Sequence, residues 1–495
     1  MADNKKVAII GAGIGGITTA LFLARKGYQV SVYEKNPQPG GRCGQIIREG
    51  HRFDLGATIF FLPSVYDEVF KELELDIEQC FEFRQVTTLY RLFYDNGSTL
   101  DVTTDEEKMK RQLEKLEPGS YEKMKSYVAR GYKFLEIGLG NLLNRNFYHP
   151  FQFITLKNVV QVLRIKAHLK HSAYIRRFFR HPHLRMAFTF QNIYVGQSPY
   201  QASALFSMLP AAEMTEGSMF PAGGMHQIAR KLVSLAEEAG VSFHYGNPVA
   251  KILTEKRGVK GVVFEDGTEV FADLVVANAD LPYVYSDLLP DRRRAAKLKR
   301  RQYTCSAIML HWGIDKRYTG LSHHNVFLVD DFKEALDTIF RKNGLTGRHC
   351  FYIHAPVVTD PTAAPEGHDT WSVVIPVPNC RPGATTDWKE IREVARQGVI
   401  NRLKEMGIDD LEEHIKFEIC YLPGTWESMF HVSRGATFGS LSHRILQMGY
   451  FRPHNRHSRY RNLYFTGGST HPGNGIPLVL LSAKLTSERI LHDDL

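Results

Sequence analysis

Four glycines stand among six residues directly behind a run of branched apolar side chains near the start of the sequence. Gly11, Gly13 and Gly16 form a G-x-G-x-x-G pattern after the apolar run Val7 to Ile10. Glycine is costly inside regular structure, so this spacing indicates that another group approaches the main chain very closely. Between a strand and a helix, such a loop lets a pyrophosphate touch the backbone. The pattern therefore predicts a dinucleotide-binding site.

The elements that must position this loop are visible in the flanking sequence. Val7 to Ile10 is typical of a buried strand, Ile17 to Gly27 has helical periodicity with a glycine stop, and Tyr28 to Tyr33 alternates as a second strand. Glu34 follows 23 residues after Gly11, where a ribose-binding carboxylate is expected. The helix N-terminus would face the phosphates. A plain turn is the alternative, and the strand, helix and acid in register disfavour it.

Length and composition exclude a small binding module. The chain has 495 residues and is 43% hydrophobic, so it can bury a large core and should hold at least two subdomains. The N-terminal residues MADNKK contain no apolar signal region, and no stretch approaches about eighteen uninterrupted apolar residues. We therefore expect a cytoplasmic protein that does not cross a membrane.

The charge of the chain is concentrated in one segment. The sequence has 62 Lys and Arg against 53 Asp and Glu, a net charge of +9, yet residues 137–212 contain no Asp or Glu. We call these residues the acid-free segment. Such segregation indicates an anionic partner. The segment carries nine cations, so the rest of the chain sums to zero: Arg145, Lys157, Arg164, Lys166, Lys170, Arg176, Arg177, Arg180 and Arg185.

Apolar runs lie between these cations. Basic residues with Phe, Leu and Tyr at helical spacing favour a helix lying in a lipid interface, so we predict a peripheral, monotopic association with anionic lipid. A soluble helical subdomain with a solvated basic face is the alternative. A nucleic-acid surface is disfavoured because no recognised binding module accompanies the patch. The apolar runs are Phe147 to Leu156, Val159 to Ile165, Ile175 to Phe179 and Met186 to Phe190; a second basic cluster is Arg444, Arg452, Arg456, Arg459 and Arg461.

Further glycine-rich stretches indicate which dinucleotide binds. KNPQPGGRC and GHRFDLGATIF follow Glu34, and NLYFTGGSTHPGNGIPLVLLSAK lies near the C-terminus. Together with the first loop, these stretches resemble the FAD-binding elements of the flavin amine oxidase and phytoene desaturase superfamily. The C-terminal stretch closely resembles the signature of bacterial-type carotenoid (phytoene) desaturases. The resemblance runs from Val7 to Leu491 and is weak in the middle of the chain.

The resemblance implies a cofactor site for FAD. Arg42 would lie beside the phosphates and the flavin, and the backbone of Val249 would pair with the adenine. Gly475 would begin a helix whose free N–H groups stabilise negative charge on a reduced flavin. Gly468 stands where many superfamily members carry Asp, so a ribityl contact through that carboxylate is not expected. The residues assigned to FAD are Gly11, Gly13, Gly15, Gly16, Glu34, Lys35, Gly41, Arg42, Gly56, Ala57, Thr58, Val249, Gly467, Gly468, Gly475, Ile476 and Pro477.

The expected fold is α/β, with a discontinuous Rossmann-like FAD-binding domain, an inserted α+β substrate domain and a helical membrane-associating part. A helix is predicted over about 225–239, a strand over 241–245, and a hairpin turn at Asp266 and Gly267. IMLHWGI and WSVVIPV are expected strands that line a cavity. The predicted FAD-binding parts are 1–95, 215–286 and 431–495; the inserted parts are 96–214, which includes the membrane-associating helices, and 287–430.

The resemblance also implies a substrate and a reaction. The family's substrates are long polyene hydrocarbons, and burial from water is worth about 0.8 kcal/mol per methylene, a gain already realised in a bilayer. The enzyme would therefore meet its substrate at a membrane. Removal of a hydride and a neighbouring proton would create a conjugated double bond, and the electrons would pass to a quinone or to dioxygen. A polyene isomerase or saturase and a non-catalytic FAD-containing adaptor are alternatives; an amine oxidase is disfavoured by the acid-free segment.

Candidate catalytic and metal-binding residues are few. His471, in STHPG, falls where the family brings residues close to the flavin, and it could accept the proton or orient the loop. His311, His323, His324 and His354 show no metal-binding spacing. The scattered cysteines contain no C-x-x-C pair, which suits a reducing compartment and argues against a zinc or iron–sulfur site. The sequence therefore predicts no metal.

Overall fold

The buried apolar runs form strands in the computed structural model, which describes residues 4–164, 166–289 and 291–494. Met1 to Asp3 and Ile165, which belong to stretches considered above, lie outside the described residues. The strands are β1 Lys6–Ile10, β2 Gln29–Glu34, β3 Gln45–Arg48, β4 His51–Asp54, β5 Phe83–Gln85, β6 Thr88–Phe93, β7 Thr99–Thr103, β8 Met219–Pro221, β9 Ser242–Tyr245, β10 Val249–Glu255, β11 Gly258–Phe264, β12 Glu269–Phe271, β13 Leu274–Ala277, β14 Ser306–Ile314, β15 His324–Phe327, β16 Phe351–His354, β17 Asp369–Val377, β18 Ile415–Tyr421 and β19 Leu463–Phe465.

Five strands from distant parts of the chain make one parallel sheet in the order β19-β13-β1-β2-β9. Both faces of β1 are covered: Val7 and Ile9 pack in one core, and Ala8 and Ile10 pack in another. A parallel strand that is buried on both faces is apolar throughout, which explains the unbroken run in the sequence. The chain leaves β1 toward β2 on one side while β13 lies on the other, so the carboxyl end of β1 is a topological switch point, where open α/β sheets bind ligands.

Helices pack against the strands of this sheet. The helix after the glycine loop was predicted from Ile17 and begins at Ile14, with Gly13 as its N-cap, because the glycines form its first turn rather than a separate loop. The helices are α1 Ile14–Ala24, α2 Pro63–Glu72, α3 Ile77–Cys80, α4 Glu106–Leu116, α5 Ser120–Gly138, α6 Pro150–Phe153, α7 Leu156–Arg164, α8 His171–Ile175, α9 Pro182–Ala187, α10 Met208–Glu216, α11 His226–Glu238, α12 Leu281–Tyr283, α13 Arg292–Lys299, α14 Phe332–Asp337, α15 Trp388–Lys404, α16 Leu411–His414, α17 Pro423–Phe430 and α18 Ile476–Asp494.

The middle of the chain returns to the first sheet through elements that the sequence predicted. The helix α11, the strand β9 and the hairpin between β11 and β12 lie where they were expected. Gly267 in the hairpin has a φ of +86°, a conformation that glycine adopts without strain. β10, β11 and β12 form a separate antiparallel sheet.

A second large sheet has seven strands in the order β18-β14-β17-β16-β15-β6-β7. The predicted strands IMLHWGI and WSVVIPV are parts of β14 and β17, which pair antiparallel with Trp312 opposite Trp371. The sheet also takes β6, which the sequence-based division had placed in the first FAD-binding part. β6 pairs with β7 and β15, so the predicted boundary at residue 95 falls inside a hairpin and moves to before β6. The other boundaries stay predictions.

The acid-free segment splits into two stretches with opposite burial. Phe178, Phe179, Phe188 and Phe190 are buried in the core beside the second sheet, so the expectation that the Ile175 to Phe179 and Met186 to Phe190 runs face lipid is wrong. These four phenylalanine rings fill the space between the helices and the seven-stranded sheet. In α6 and α7, by contrast, Phe151, Leu156, Val159, Val160 and Leu163 are exposed. No helix in the described part of the chain is both long and apolar enough to cross a membrane.

Candidate functional site

Two cavities adjoin the seven-stranded sheet. The first, of about 340 Å³, lies at the carboxyl end of β1 and includes the glycine loop; we call it the glycine cavity. The second, of about 360 Å³, lies between the seven-stranded sheet and the helices of the acid-free segment; we call it the apolar cavity. Predicted cofactor residues line the glycine cavity: Gly11, Gly13, Gly15, Glu34, Lys35, Gly41, Arg42, Gly56, Ala57, Val249, Gly467, Gly468, Gly475 and Ile476.

The glycines of the first loop allow close packing of main chain against main chain. A Cβ atom at Gly16 would lie 2.1 Å from the carbonyl oxygen of Gly11, and one at Gly15 would lie 2.7 Å from Oδ1 of Asn278. Asn278 follows β13 and donates through Nδ2 to the Gly11 oxygen at 3.1 Å. Gly13 provides no side-chain cap, so the first N–H groups of α1 are available to a ligand. Asn278 was missed from the sequence, although its place directly after a buried strand is a signal.

Glu34 is held rigidly at the end of β2. Its carboxylate accepts hydrogen bonds from the backbone N–H of Ala12 at 2.8 Å and of Asn36 at 2.9 Å. The acid is buried and lines the glycine cavity. Lys35 lies next to it, and burial lowers the pKa of its ammonium group. A carboxylate fixed in this way can accept hydrogen bonds from ribose hydroxyls.

Arg42 is a half-buried cation on the wall of the glycine cavity. Its Nη1 donates to the Thr437 carbonyl at 2.7 Å, and within the described residues it forms no ion pair. Desolvation lowers the pKa of the guanidinium, and the nearby Asp280 opposes that shift. Burying a cation without an anion is unfavourable, so the arrangement fits an anionic ligand such as a diphosphate.

Asp280, which sequence reasoning missed, is a second acid on the wall of the same cavity and is half-buried. Its Oδ2 accepts from the Ser440 hydroxyl at 2.6 Å and from the backbone N–H of Ser433 at 3.0 Å. Desolvation raises the pKa of this carboxyl. The aspartate thereby ties the end of β13 to the chain that follows α17.

The apolar cavity has hydrocarbon walls. No Asp, Glu, Lys or Arg side chain is among its described lining residues. Burial holds the pKa of His443 well below its usual range, so that ring is neutral. Thr58 and Pro477, predicted as cofactor residues, line this cavity rather than the first. Its other polar lining side chains are Tyr90, Tyr194, Cys350, Tyr352 and Asn474.

The two cavities share one wall. A ligand in the glycine cavity that reaches this wall would therefore lie close to a molecule in the apolar cavity. The wall joins five regions that are far apart in the sequence, and Tyr194 is its one ionisable residue among the described ones. The shared residues are Gly56, Ala57, Tyr194, Val374, Phe438, Asn474, Gly475 and Ile476.

Comparison with known proteins places the chain in a family. Residues 14–491 match the family described as flavin containing amine oxidoreductase. The chain belongs to this flavoprotein family. It is 38% identical over 491 residues to a zeta-carotene-forming phytoene desaturase of Myxococcus xanthus, covering 99% of this chain and 94% of the relative. It is also 31% identical to a 4,4'-diapophytoene desaturase of Staphylococcus aureus strain Newman, with 99% of each chain covered.

Solved structures support the same fold. A double mutant of putrescine oxidase superposes on this flavoprotein with a TM-score of 0.62 at 15% identity, covering 99% of both chains. Family membership supports FAD as the cofactor, and the glycine cavity fits that group because it combines available helix N–H groups, a fixed acid and a half-buried cation. The predicted α/β fold is confirmed; its membrane-associating part stays a prediction.

His471 lies away from both cavities of the flavoprotein. Neither lining includes it, and its Nε2 lies 3.1 Å from the Arg145 carbonyl oxygen. Burial lowers the pKa of its ring to about 4, so the ring is neutral at pH 7. The contact with the Arg145 backbone favours the second of its two predicted roles, orientation of the loop before α18, and acceptance of the proton stays a prediction.

Three buried histidines meet where β15 pairs with β16, although their spacing indicated no metal site. Ring nitrogens of His323, His324 and His354 all lie within 4.8 Å of one another. His323 Nε2 is 3.1 Å from His354 Nε2, and His324 Nδ1 is 2.6 Å from the Tyr352 hydroxyl. Burial lowers the pKa of all three rings, so they are neutral and could hold a metal ion. Only strand pairing, with His324 opposite His354, brings them together.

Proposed function

We propose that this protein is an FAD-dependent carotenoid desaturase. It removes a hydride and a proton from adjacent carbons of a long polyene and so adds a conjugated double bond. A bound flavin supplies the two-electron acceptor for this reaction. The observation that carries the proposal is the apolar cavity, which has no charged lining side chain among the described residues and shares a wall with the glycine cavity. Relatives named as phytoene desaturases support the substrate class.

The chemistry of the apolar cavity favours a hydrocarbon over an amine. An amine substrate is a cation at neutral pH, and taking it from water requires a carboxylate or comparable partner. The described lining offers Leu, Ile, Val, Phe and Met side chains in that place. A polyene moving from a bilayer into such a cavity exchanges one apolar environment for another, so its uptake costs little.

Expression in cells that make phytoene tests the proposal. We expect coloured products whose absorbance is red-shifted, and purified protein whose bound flavin is bleached by phytoene in the absence of oxygen. Products with nearly unchanged absorbance would indicate an isomerase, and blue-shifted products a saturase. Bound flavin that no polyene bleaches would identify a non-catalytic protein. Reoxidation rates measured with a quinone and with dioxygen identify the electron acceptor, which we propose to be one of the two.

We propose that the predicted glycine-cavity residues hold FAD, with Arg42 paired to its anionic part. Arg42→Met keeps the length of the side chain and removes the charge. Because charge-assisted hydrogen bonds are worth about 1.5–3 kcal/mol, FAD affinity should fall roughly 10- to 150-fold. Titration of apoprotein by flavin fluorescence measures this, and Arg48→Met, at an exposed position, is the control. Equal FAD affinity in both variants would show that Arg42 does not contribute to FAD binding.

We propose that α6 and α7 rest on the membrane that supplies the polyene. Phe151 is 83% exposed and Leu156 82%, and with Leu163 they present unpartnered apolar surface. Phe153 and Val162, on the same two helices, line the apolar cavity. The exposed apolar side chains therefore stand on the same two helices as part of the cavity wall, and exposed Lys157 and Arg164 add positive charge that attracts anionic lipid.

A further inference from the structure

A buried glutamate stands directly behind the apolar cavity. Glu213, on α10, is the residue that ends the acid-free segment, and it is 5% exposed. Its Oε1 accepts a hydrogen bond from the Tyr90 hydroxyl at 2.7 Å and another from the Tyr194 hydroxyl. Gln191 Nε2 lies 3.5 Å from Oε2. No cation pairs with this carboxyl within the part of the chain that the structure describes.

The two tyrosines connect this carboxyl to the cavities. Tyr90 comes from β6, and Tyr194 comes from the 3-10 helix Phe190–Val195. Both line the apolar cavity, and Tyr194 also lines the glycine cavity, so this side chain stands where cofactor and substrate would meet. Glu213 itself lines neither cavity. The Tyr194 side chain thus connects the carboxyl, through its hydroxyl, to the wall of both cavities.

The protonation states suit a proton relay. Desolvation raises the pKa of the Glu213 carboxyl to about 7, while bonds from Tyr194, Tyr90 and Gln191 oppose that rise. Burial holds the pKa of both tyrosines well above their usual range, so their hydroxyls keep their protons. A hydroxyl can accept one proton while donating its own. The carboxyl can therefore change its protonation state near neutral pH, while each tyrosine hydroxyl accepts one proton and donates its own.

The titratable groups around the carboxyl are few. Tyr90 and Tyr194 face it from β6 and from the 3-10 helix, and the His324 ring lies 5.7 Å from the Tyr90 ring and is neutral. The next acid on α10, Glu216, is turned toward Tyr132 of α5, whose hydroxyl donates to it at 3.4 Å. Burial also raises the pKa of the Asp54 carboxyl, on β4, to about 7, and its Oδ1 accepts from the backbone N–H of His226 at 3.3 Å. A pH dependence near neutrality therefore belongs to Glu213 where Glu213→Gln removes it and Asp54→Asn does not.

We propose that Glu213 accepts, through the hydroxyl of Tyr194, the proton that the dehydrogenation releases; this rests on the proposed desaturase function. One C–H bond of the polyene gives up its hydride to the two-electron oxidant that this function supplies. The electron pair of the neighbouring C–H bond forms the new double bond, and its proton moves to the Tyr194 oxygen as the proton of Tyr194 passes to the carboxylate. Tyr194 touches the substrate, and Glu213 is a positioning residue that stores the proton.

Glu213→Gln tests the relay. The variant keeps a carbonyl acceptor for both tyrosines, so FAD content and KM should change little. We expect kcat to fall by roughly 10²- to 10⁴-fold, the range of general-base contributions, and the rise of kcat through pH 7 to disappear. Tyr194→Phe should lower kcat similarly, and Tyr90→Phe less. Glu216→Gln, on the same helix, is the matched control and should retain the wild-type pH profile.

Infrared titration provides a readout that is independent of turnover. Wild-type protein without polyene should show a buried carboxylic acid C=O band that titrates near pH 7, is lost in Glu213→Gln and is kept in Glu216→Gln; Asp54→Asn identifies the separate band of Asp54. A wild-type kcat profile in Glu213→Gln, with only its unfolding midpoint lowered, would overturn the relay and assign Glu213 a structural role. If no polyene bleaches the wild-type flavin, the desaturase proposal fails and the relay fails with it. Bleaching that is equally fast in wild type and Glu213→Gln overturns the relay alone.

Discussion

Two stretches of the acid-free segment both combine basic and large apolar residues, yet one is exposed and the other is buried. In residues 150–164, Phe151 and Leu156 are exposed, whereas in residues 171–190, Phe179 and Phe188 are completely buried. Both stretches mix Arg or Lys with large apolar side chains. The 171–190 stretch packs between the seven-stranded sheet and α5, while one side of the 150–164 stretch faces no other element.

The difference teaches that composition identifies an apolar surface without identifying what covers it. In α7, the large apolar residues recur at three- and four-residue intervals, which usually marks the side of a helix that faces the core. Here that side is exposed: Leu156, Val159, Val160 and Leu163. We propose that a membrane covers it in place of a protein core.

Truncation of a large apolar side chain should change the free energy of unfolding very differently in the two stretches. Phe179→Ala should lower the free energy of unfolding by about 3–5 kcal/mol, because it removes a buried ring and leaves a cavity. Leu156→Ala, at an exposed position, should change it by less than about 0.5 kcal/mol. Urea unfolding followed by circular dichroism measures both. Equal losses would mean that the 150–164 stretch is also packed.

Acid should destabilise the protein through the 171–190 stretch. His171 is buried and its Nδ1 lies 2.7 Å from Asn192 Nδ2, and burial lowers its pKa to about 4. An unfolded histidine has a pKa of about 6.5, so between these values the unfolded state binds a proton that the folded state does not. Stability should therefore fall by up to about 3 kcal/mol as the pH drops from about 6.5 to 4.

The variant His171→Asn isolates this contribution. It should show a flatter dependence of the urea midpoint on pH over the same range, whatever its stability at pH 7. His168→Asn, at an exposed position in the same segment, is the control and should follow the wild type. An unchanged slope in His171→Asn would show that other groups account for the acid sensitivity.

Vesicle binding should depend on the 150–164 stretch. Phe151→Ser removes apolar surface worth about 2 kcal/mol on insertion, so partitioning should weaken roughly 30-fold. Flotation with anionic vesicles measures the bound fraction. Phe271→Ser is the matched control, because Phe271 is 63% exposed on β12 in a different region. Similar losses in both variants would contradict a specific membrane face.

Charge on the same stretch should have the smallest effect. Lys157→Gln removes about 1 kcal/mol of attraction to anionic lipid, which weakens binding roughly fivefold at low salt. At high salt the difference from wild type should vanish, since the interaction is screened within a Debye length. Lys251→Gln, on β10, should bind like the wild type at both salt concentrations. A salt-independent loss would indicate that Lys157 acts through packing.

Much of the lining of the glycine cavity was predictable because it is largely backbone. Gly11 and Gly13 follow β1, Glu34 ends β2 and Gly475 precedes a helix, so local rules placed them. Asn278 and Asp280 were missed because a polar residue after a strand is a weak signal when no motif surrounds it. Tyr194 and Glu213 were missed for a different reason: their chemistry arises from burial and from each other, and neither is visible in one dimension.

The sequence by itself determined the strand, turn and helix unit, the class of cofactor and the accumulation of cations in one segment, because periodicity, glycine spacing and charge are local properties. Tertiary structure alone decided which part of that segment is core and which is exposed, that β6 joins the seven-stranded sheet, and that Tyr194 stands between two cavities beside Glu213. Each of these outcomes depends on which elements pack against one another. That packing brings together residues that are far apart in the sequence, so no local pattern specifies it.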